Sequence, residues 1–424
     1  MDNIVSNKSP QKQLLFFSQQ PLYLWTFQTN REQLRCYFPL RSEKHPIIPT
    51  EIYHTIIDEK QRIHLVVRMH LSVILAKKFV GNIKLQRFHA ERILTRQNSL
   101  PVIESVKNLY EHKDCVWSVA FHRTDPLLAT GSSDKTVKLW NIRHDGSASA
   151  CVATLPGHSN CVLSVAFHPT APVLATGSVD KTMKLWRLSA DNSSATCVAT
   201  LGGHRGWVSS IAFHQMAPVL ATGSSDKTAK LWRLSSDNSS AACVATLEGH
   251  RCYVTSVAFH ATAPLLATGS NDKTVRLWRL SENNLSATCV ATLEDHSSVV
   301  SSVAFHSNAP LLATGSRDNT AKLWRLSSDN LSATCVATLE AHSDGVSSVA
   351  FHPTELLLAT AGDNTAKLWR LSSDNLSATC VATLKGHSHW VLSVAFDPTG
   401  SGLATCSYDR DVKFWRESKR FSPI

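Results

Sequence analysis

The chain has 424 residues and no long hydrophobic run. Apolar stretches such as Leu71–Ala76 fall far short of the roughly 18 residues a membrane span requires. The opening segment, MDNIVSNKSPQKQLLFF, lacks an apolar stretch of secretory-signal length. Charged residues make up only 18% against 43% hydrophobic ones, so the chain can bury a core and is not a disordered polar polymer. Membrane proteins, collagens and disulfide miniproteins are excluded. Also missing are C-x-x-C and Cys/His zinc spacings, G-x-x-x-x-G-K-[ST], H-E-x-x-H and G-x-S-x-G. The expectation is therefore no enzyme, no cofactor, no metal and no membrane partner.

The formal charge is +10, which points to an acidic partner. It is unevenly spread. Residues 1–100 hold 15 Lys and Arg against 7 Asp and Glu, and the remainder holds 28 against 26. The 11 cysteines are odd in number, and Cys151, Cys197, Cys243, Cys289, Cys335 and Cys380 each precede Val-Ala-Thr-Leu. Equivalent positions of a repeat lie far apart and cannot pair, so these read as small half-buried strand residues in a reducing compartment, cytoplasmic or nuclear. Asn-x-Ser sequons at Asn192, Asn238, Asn284, Asn330 and Asn375 read as turn chemistry.

An internal repeat decides the architecture. Lys/Arg-Leu/Phe-Trp recurs with its Trp at 140, 186, 232, 278, 324, 369 and 415, at spacings of 46, 46, 46, 46, 45 and 46. Six residues before each Trp stands an Asp: Asp134, Asp180, Asp226, Asp272, Asp318, Asp363 and Asp409. A His lies 22 residues before each Asp, or 21 in the sixth unit: His112, His158, His204, His250, His296, His342 and His387. A Thr just ahead of each Asp completes the set: Thr130, Thr176, Thr222, Thr268, Thr314, Thr360 and Thr405. One unit contains four short runs, CVATL, VLSVAF, VLATGS and TMKLWRL, separated by GHSN, HPTAP and SVDK. Short apolar runs broken by Gly, Pro, Asn and Asp are strands joined by turns, here four per unit and one propeller blade per unit. The units lie near 103–150, 151–196, 197–242, 243–288, 289–334, 335–379 and 380–416, with a tail at 417–424.

Gly-His near the start of each unit and the Trp near its end resemble the WD-repeat family. The Trp is followed by Arg or Asn rather than Asp, and Glu111, Asp295 and Ala341 replace the Gly before His. The resemblance implies an all-β, seven-bladed propeller over 103–416. It also implies closure by the strand-like Ile103–Leu109, which supplies the last blade with its fourth strand and removes an open edge. The sixth unit, one residue short at ATAGDNT, should make a tighter turn. By resemblance, Trp140, Trp186, Trp232, Trp278, Trp324, Trp369 and Trp415 join the His, Thr and Asp of their units in a structural hydrogen-bond chain. A buried indole N–H needs an acceptor, and a hydroxyl can accept while donating onward. His, Asp and a hydroxyl also make a hydrolase triad, but an enzyme needs one activated nucleophile, not one per blade.

The copies differ most just after the His. Three residues on stand Cys115, Cys161, Trp207, Tyr253, Val299, Gly345 and Trp390, and just before the Asp stand residues including Arg317 and Tyr408. In the resembled family these positions rim the narrow face, where partners bind. Two clusters are expected to hold protein or peptide ligands: Trp207 and Tyr253 with Arg205 and Arg251, and His389, Trp390 and Tyr408 beside Trp117 and Lys113.

Residues 1–100 show no repeat. Leu14–Phe17 and Leu22–Phe27 are apolar enough for a strand pair or a helix. Pro49 before Glu51 and Ile52 looks like a helix start, and Ile63, Val66, Val67, His70, Leu71, Ile74 and Leu75 keep helical spacing, predicting an amphipathic helix over Arg62–Lys78. The N-terminal region is thus expected to be mainly α-helical. The pattern over 48–79 resembles the F-box, a helical module that docks a ubiquitin-ligase core subunit, which implies an alternative role as a ligase substrate receptor. Scattered Lys and Arg do not form a phosphate-binding stripe, which disfavours nucleic acid.

Overall fold

The computed structural model describes residues 12–14, 25–30, 33–36, 49–57, 63–69, 103–142 and 150–417. The chain divides into two compact units, Met1–Ser99 and Leu100–Ile424.

In the first unit, Lys12–Leu14, Trp25–Asn30 and Gln33–Cys36 form a three-stranded antiparallel sheet. Pro49–Ile57 pairs antiparallel with Ile63–Met69. This corrects the expected helix start at Pro49 and the start of the helix predicted over Arg62–Lys78, where strands stand, while 70–78 and most of residues 1–100 lie outside the described residues. The reason is side-chain branching. Ile52, Thr55, Ile56, Ile57, Ile63, Val66 and Val67 are stiff at χ1 and favour a pleated surface over a helix, even at helical spacing.

The second unit consists of seven four-stranded antiparallel sheets. In the second of them the strands are Val162–Phe167, Val173–Ser178, Met183–Leu188 and Ala195–Leu201, paired in that order. Sheet and sequence unit are out of phase by one strand. The Cys-Val-Ala-Thr-Leu that opens the unit at 151 lies in Ala150–Leu155, which pairs with Val137–Asn141 of the unit before. Each unit therefore hands its first strand to the preceding blade, and the last blade needs one from elsewhere. Ile103–Leu109 supplies it, pairing with Val412–Glu417 in the register Val412↔Leu109 and Trp415↔Ser105. Lys413 Nζ donates to Asn108 Oδ1 at 3.0 Å across this closure.

The core lies between blades. Leu127, Ala129 and Leu139 of blade one pack on Val162, Leu174 and Trp186 of blade two, and equivalent clusters fill every interface around the ring. The seventh joins Leu109, Val412 and Phe414 to Val116, Leu128 and Trp140, so the ring is closed. Second strands such as Val173–Ser178 are buried along their whole length because both faces are covered. Each fully buried Leu or Val there contributes about 1.5–3 kcal/mol. Contact is close enough to demand glycine: a Cβ on Gly177 would sit 2.7 Å from Val208 Cγ1 of the next blade. The outer strands are bulged, as between Leu185 and Trp186, which twists an otherwise uncharged edge away from pairing. In blade six only Asp363 and Asn364 separate Leu357–Gly362 from Thr365–Leu371, the tight turn expected from the missing residue. The five sequon asparagines adopt φ of 56°, 54°, 58°, 59° and 59°, a left-handed turn conformation that Asn tolerates.

Candidate interaction face

In each antiparallel blade, the start of the inner strand, the end of the second and the start of the third fall at one end. The repeated polar residues and the variable loops meet there. In blade three, His204 Nδ1 lies 2.7 Å from Asp226 Oδ2 and its Nε2 2.7 Å from Thr222 Oγ1, while Trp232 Nε1 donates to that same Oγ1 at 2.8 Å. The sequence of donors is forced. An ionised carboxylate only accepts, so Nδ1 carries the proton; Nε2 then accepts from Thr222, whose oxygen accepts from the indole. The other six blades repeat the chain, with His–Asp distances of 2.7 Å at Asp134, Asp180 and Asp318, 2.8 Å at Asp409, 2.9 Å at Asp272 and 3.1 Å at Asp363. The Thr accepts from the Trp in each.

Burial pushes the Asp226 carboxyl up, but hydrogen bonds from Thr228, His204 and the Arg205 amide outweigh it and hold it down at about 2. Burial lowers His204, against the pull of Asp226. The imidazole is thus neutral beside an ionised aspartate, with every polar atom of the chain partnered. The Thr hydroxyl is spent between indole and imidazole, so the repeated polar set offers no free hydroxyl. No group of three His, Cys, Asp or Glu that could hold a metal occurs among the described residues.

Two of the departures from Gly-His have a physical answer. Glu111 lies 3.7 Å from Lys138 Nζ and Asp295 2.8 Å from Lys322 Nζ, so each acid pairs with a third-strand lysine. Where Gly remains, as at Gly249 with φ of 138°, the backbone occupies a region other residues rarely adopt.

Two sets of framework residues escaped the sequence reading. Ser118, Ser164, Ser210, Ser256, Ser302 and Ser348 each accept an amide N–H from the next blade's inner strand, at 3.0–3.3 Å. His122, His168, His214, His260, His306 and His352 each set their rings edge-on to a Phe of the next blade, with centroids 5.0–5.2 Å apart. The signal was present: a Ser two residues before each Ala-Phe, and a His after all but the last.

The variable residues stand on this polar base. Trp207 is 48% exposed, Tyr253 44% and Trp390 40%. The rings of Trp207 and Tyr253, on neighbouring blades, lie 6.4 Å apart. Trp207 is held by its backbone, its amide donating to Ser225 Oγ at 2.7 Å and its carbonyl accepting from the Ser225 amide at 3.0 Å. Gly206 permits this, because a Cβ there would lie 2.6 Å from the Asp226 nitrogen. Arg205 and Arg251 are exposed beside these rings. The second group forms across the closure: Tyr408 lies 5.4 Å from Trp117, 5.3 Å from His389 and 6.4 Å from Trp390. Trp117 is half-buried, its Nε1 donating to Ser133 Oγ at 2.6 Å. Burial lifts the Tyr408 phenol, and the Arg317 charge works against that rise. Lys113 is exposed, its amide bound to Asp134.

The family profile described as "WD domain, G-beta repeat" matches residues 103–141, 149–187, 195–233, 241–279, 287–325, 333–370 and 378–416, more than half of the chain. A "Probable cytosolic iron-sulfur protein assembly protein 1" from Scheffersomyces stipitis is 44% identical over 41 residues, which is 10% of this chain and 11% of that protein. The chain therefore spans about a tenth of the curated relative it matches. With seven profile matches lying on seven interlocked sheets, the chain belongs to the WD-repeat family.

Proposed function

We propose that this chain is a non-enzymatic scaffold that holds protein or peptide ligands on the face where Trp207, Tyr253 and Trp390 stand. The observation that carries the reading is the exposure of three large aromatic side chains at one repeat position, three residues after the His. Exposed aromatics beside Arg are the usual anchors of an interface, and backbones already tied down lose little freedom on binding. The free thiols of the described cysteines fit a reducing compartment, cytoplasm or nucleus. The match to the iron–sulfur assembly protein is about one repeat long, so the shared blade framework accounts for it. The described parts of 48–79 are strands, which leaves the helical docking module of a ubiquitin-ligase receptor without support.

The test is the double variant W207A/W390A. It is expected to lose capture of the wild-type chain's binding partners while its Tm stays within about 2 °C, since surface truncations cost little. A collapse of the fold would show instead that the rings are core.

A further inference from the structure

The aromatic positions of blades three and four differ from the rest of the ring in a second respect. The residue directly after the His is Arg205 and Arg251 in these blades, Lys113 in blade one, and Ser159, Ser297, Ser343 and Ser388 in the other four. Both arginines are exposed. Their amides donate to Asp226 and Asp272 at 2.9 and 2.8 Å, so those carboxylates are occupied by the backbone while the guanidinium groups remain available. Lys227 and Lys273 stand exposed at the turn tips of the same two blades, each with φ of 73°, at a position that is also an exposed lysine in blades one and two, Lys135 and Lys181. None of these four cations makes an ion pair among the described residues, whereas Lys138, Lys322 and Lys413 each pair with an acid. Glu248, three residues before Arg251, is the neighbouring exposed carboxylate on the loop entering blade four. Residues 101–424 are nearly neutral overall, with 28 basic and 26 acidic residues, and it is the two arginines beside two exposed rings that set this arc apart.

We infer that this two-blade arc binds an acidic peptide segment carrying one large apolar or aromatic side chain. The inference rests on the interaction-face reading above and deepens it by naming the partner's chemistry. The apolar side chain stacks on Trp207 and Tyr253. Carboxylates flank it, meeting Arg205 and Arg251 in the fork geometry that guanidinium groups favour, with Lys227 and Lys273 adding charge at the turn tips. A nucleic acid is a poorer fit, because the turn-tip lysine continues into blade two as Lys181 but neither the arginine nor the aromatic does, and a strand would need cations and stacking rings along a longer path.

The experiment is selection of a random 12-residue peptide library on the full-length chain, repeated on R205E/R251E and on W207A, with a labelled 12-nucleotide oligothymidine as a separate probe. The expected result is enrichment of acidic peptides with one bulky apolar residue. Their affinity should fall at least tenfold in either variant at unchanged Tm, and should weaken as salt is raised. Enrichment of basic or neutral peptides that W207A abolishes would overturn the inference and leave the face as a peptide site. Peptides lost only on changing Trp390 or Tyr408 would do the same. Binding of the oligothymidine alone, abolished by R205E/R251E, would overturn both readings of this arc.

Discussion

Six interfaces of the ring and the seventh are built differently. Between blades two and three, Gly177 lets the sheets approach closely, and the His168 ring meets Phe213; the His–Phe contact recurs at all six, the glycine at five, with Ala361 in its place in blade six. At the last blade, Cys406 stands where Gly177 does, Asp397 where His168 does, and Ser105 where the outer-strand cysteines do. Asp397 is buried and turns inward on its own loop, accepting from Thr399 Oγ1 at 2.7 Å and the Ser401 amide at 3.1 Å. The six repeated interfaces join sheets whose strands follow one another along the chain. The closure instead recruits a strand about 300 residues away, and loop-closure entropy makes that the costly contact. Repetition holds where one blade leads to the next and is relaxed where the ends meet.

Two equivalent leucines break or keep this distinction most sharply. Leu109 in the closing strand and Leu247 in the outer strand of blade three are both buried. An Asp at either loses packing worth about 2–5 kcal/mol and buries a charge. L247D should destabilise its blade but leave the ring closed, since its strand is tethered at both ends within the repeat array. L109D should open the ring, lowering Tm by more than about 10 °C and exposing the last blade to limited proteolysis. Equal effects of the two would mean that the closure is no weaker than a blade.

Acid should weaken blades two to six together. Burial lowers the pKa of His158, His204, His250, His296 and His342. The folded state therefore binds fewer protons than the unfolded one, and stability is lost as pH falls below the ordinary histidine value of about 6.5. Asp226, Asp272 and Asp409 are held down at about 2, so their contribution is complete above about pH 4 and disappears as pH falls towards 2. Thermal scans should show Tm falling in two stages across these windows. A Tm flat from pH 7 to 4 would contradict the neutral imidazoles.

The polar chains allow a finer comparison. T222V in blade three and T405V in the closing blade each leave a buried indole N–H and a His Nε2 without a partner, which costs about 1–3 kcal/mol. Chemical denaturation should return similar losses, because the chain lies within a blade and does not depend on how the ring closes. A much larger loss for T405V would mean that the closing blade relies on it more heavily.

How far the sequence reveals this molecule follows from the same distinction. Relations within one repeat were legible: the spacing of His204, Thr222, Asp226 and Trp232, the four strand-like runs, and the short turn at Asp363. Closure by Ile103–Leu109 was legible because the array starts with a strand to spare. Relations between blades were not. Ser164 and His168 repeat as faithfully as the polar set, but their partners, the Ile211 amide and the Phe213 ring, belong to another copy, and a repeat viewed alone gives them no role. Glu111 and Asp295 looked like losses of glycine until Lys138 and Lys322 were seen beside them. The helix expected over Arg62–Lys78 gave way to a strand over Ile63–Met69 because Ile and Val satisfied the helical period while their branching favoured strands.

The smallest expected effect tests the spacing of the blades directly. At Gly177 an added Cβ meets Val208 Cγ1 at 2.7 Å and the Val208 carbonyl oxygen at 3.0 Å, and the backbone oxygen cannot rotate away. G177A should therefore overpack the interface and cost about 1–3 kcal/mol. At the closure the same position already holds a fully buried Cys406, so blades seven and one accept a side chain there. C406A removes one sulfur from that space and should cost only about 1 kcal/mol, mostly lost dispersion contacts. The two variants, measured side by side by denaturation, thus compare an interface with no room for a methyl group against one built around a thiol. A neutral G177A would mean that neighbouring blades slide apart easily, and the close approach at the five interfaces built on Gly131, Gly177, Gly223, Gly269 and Gly315 would then not be what separates them from the closure.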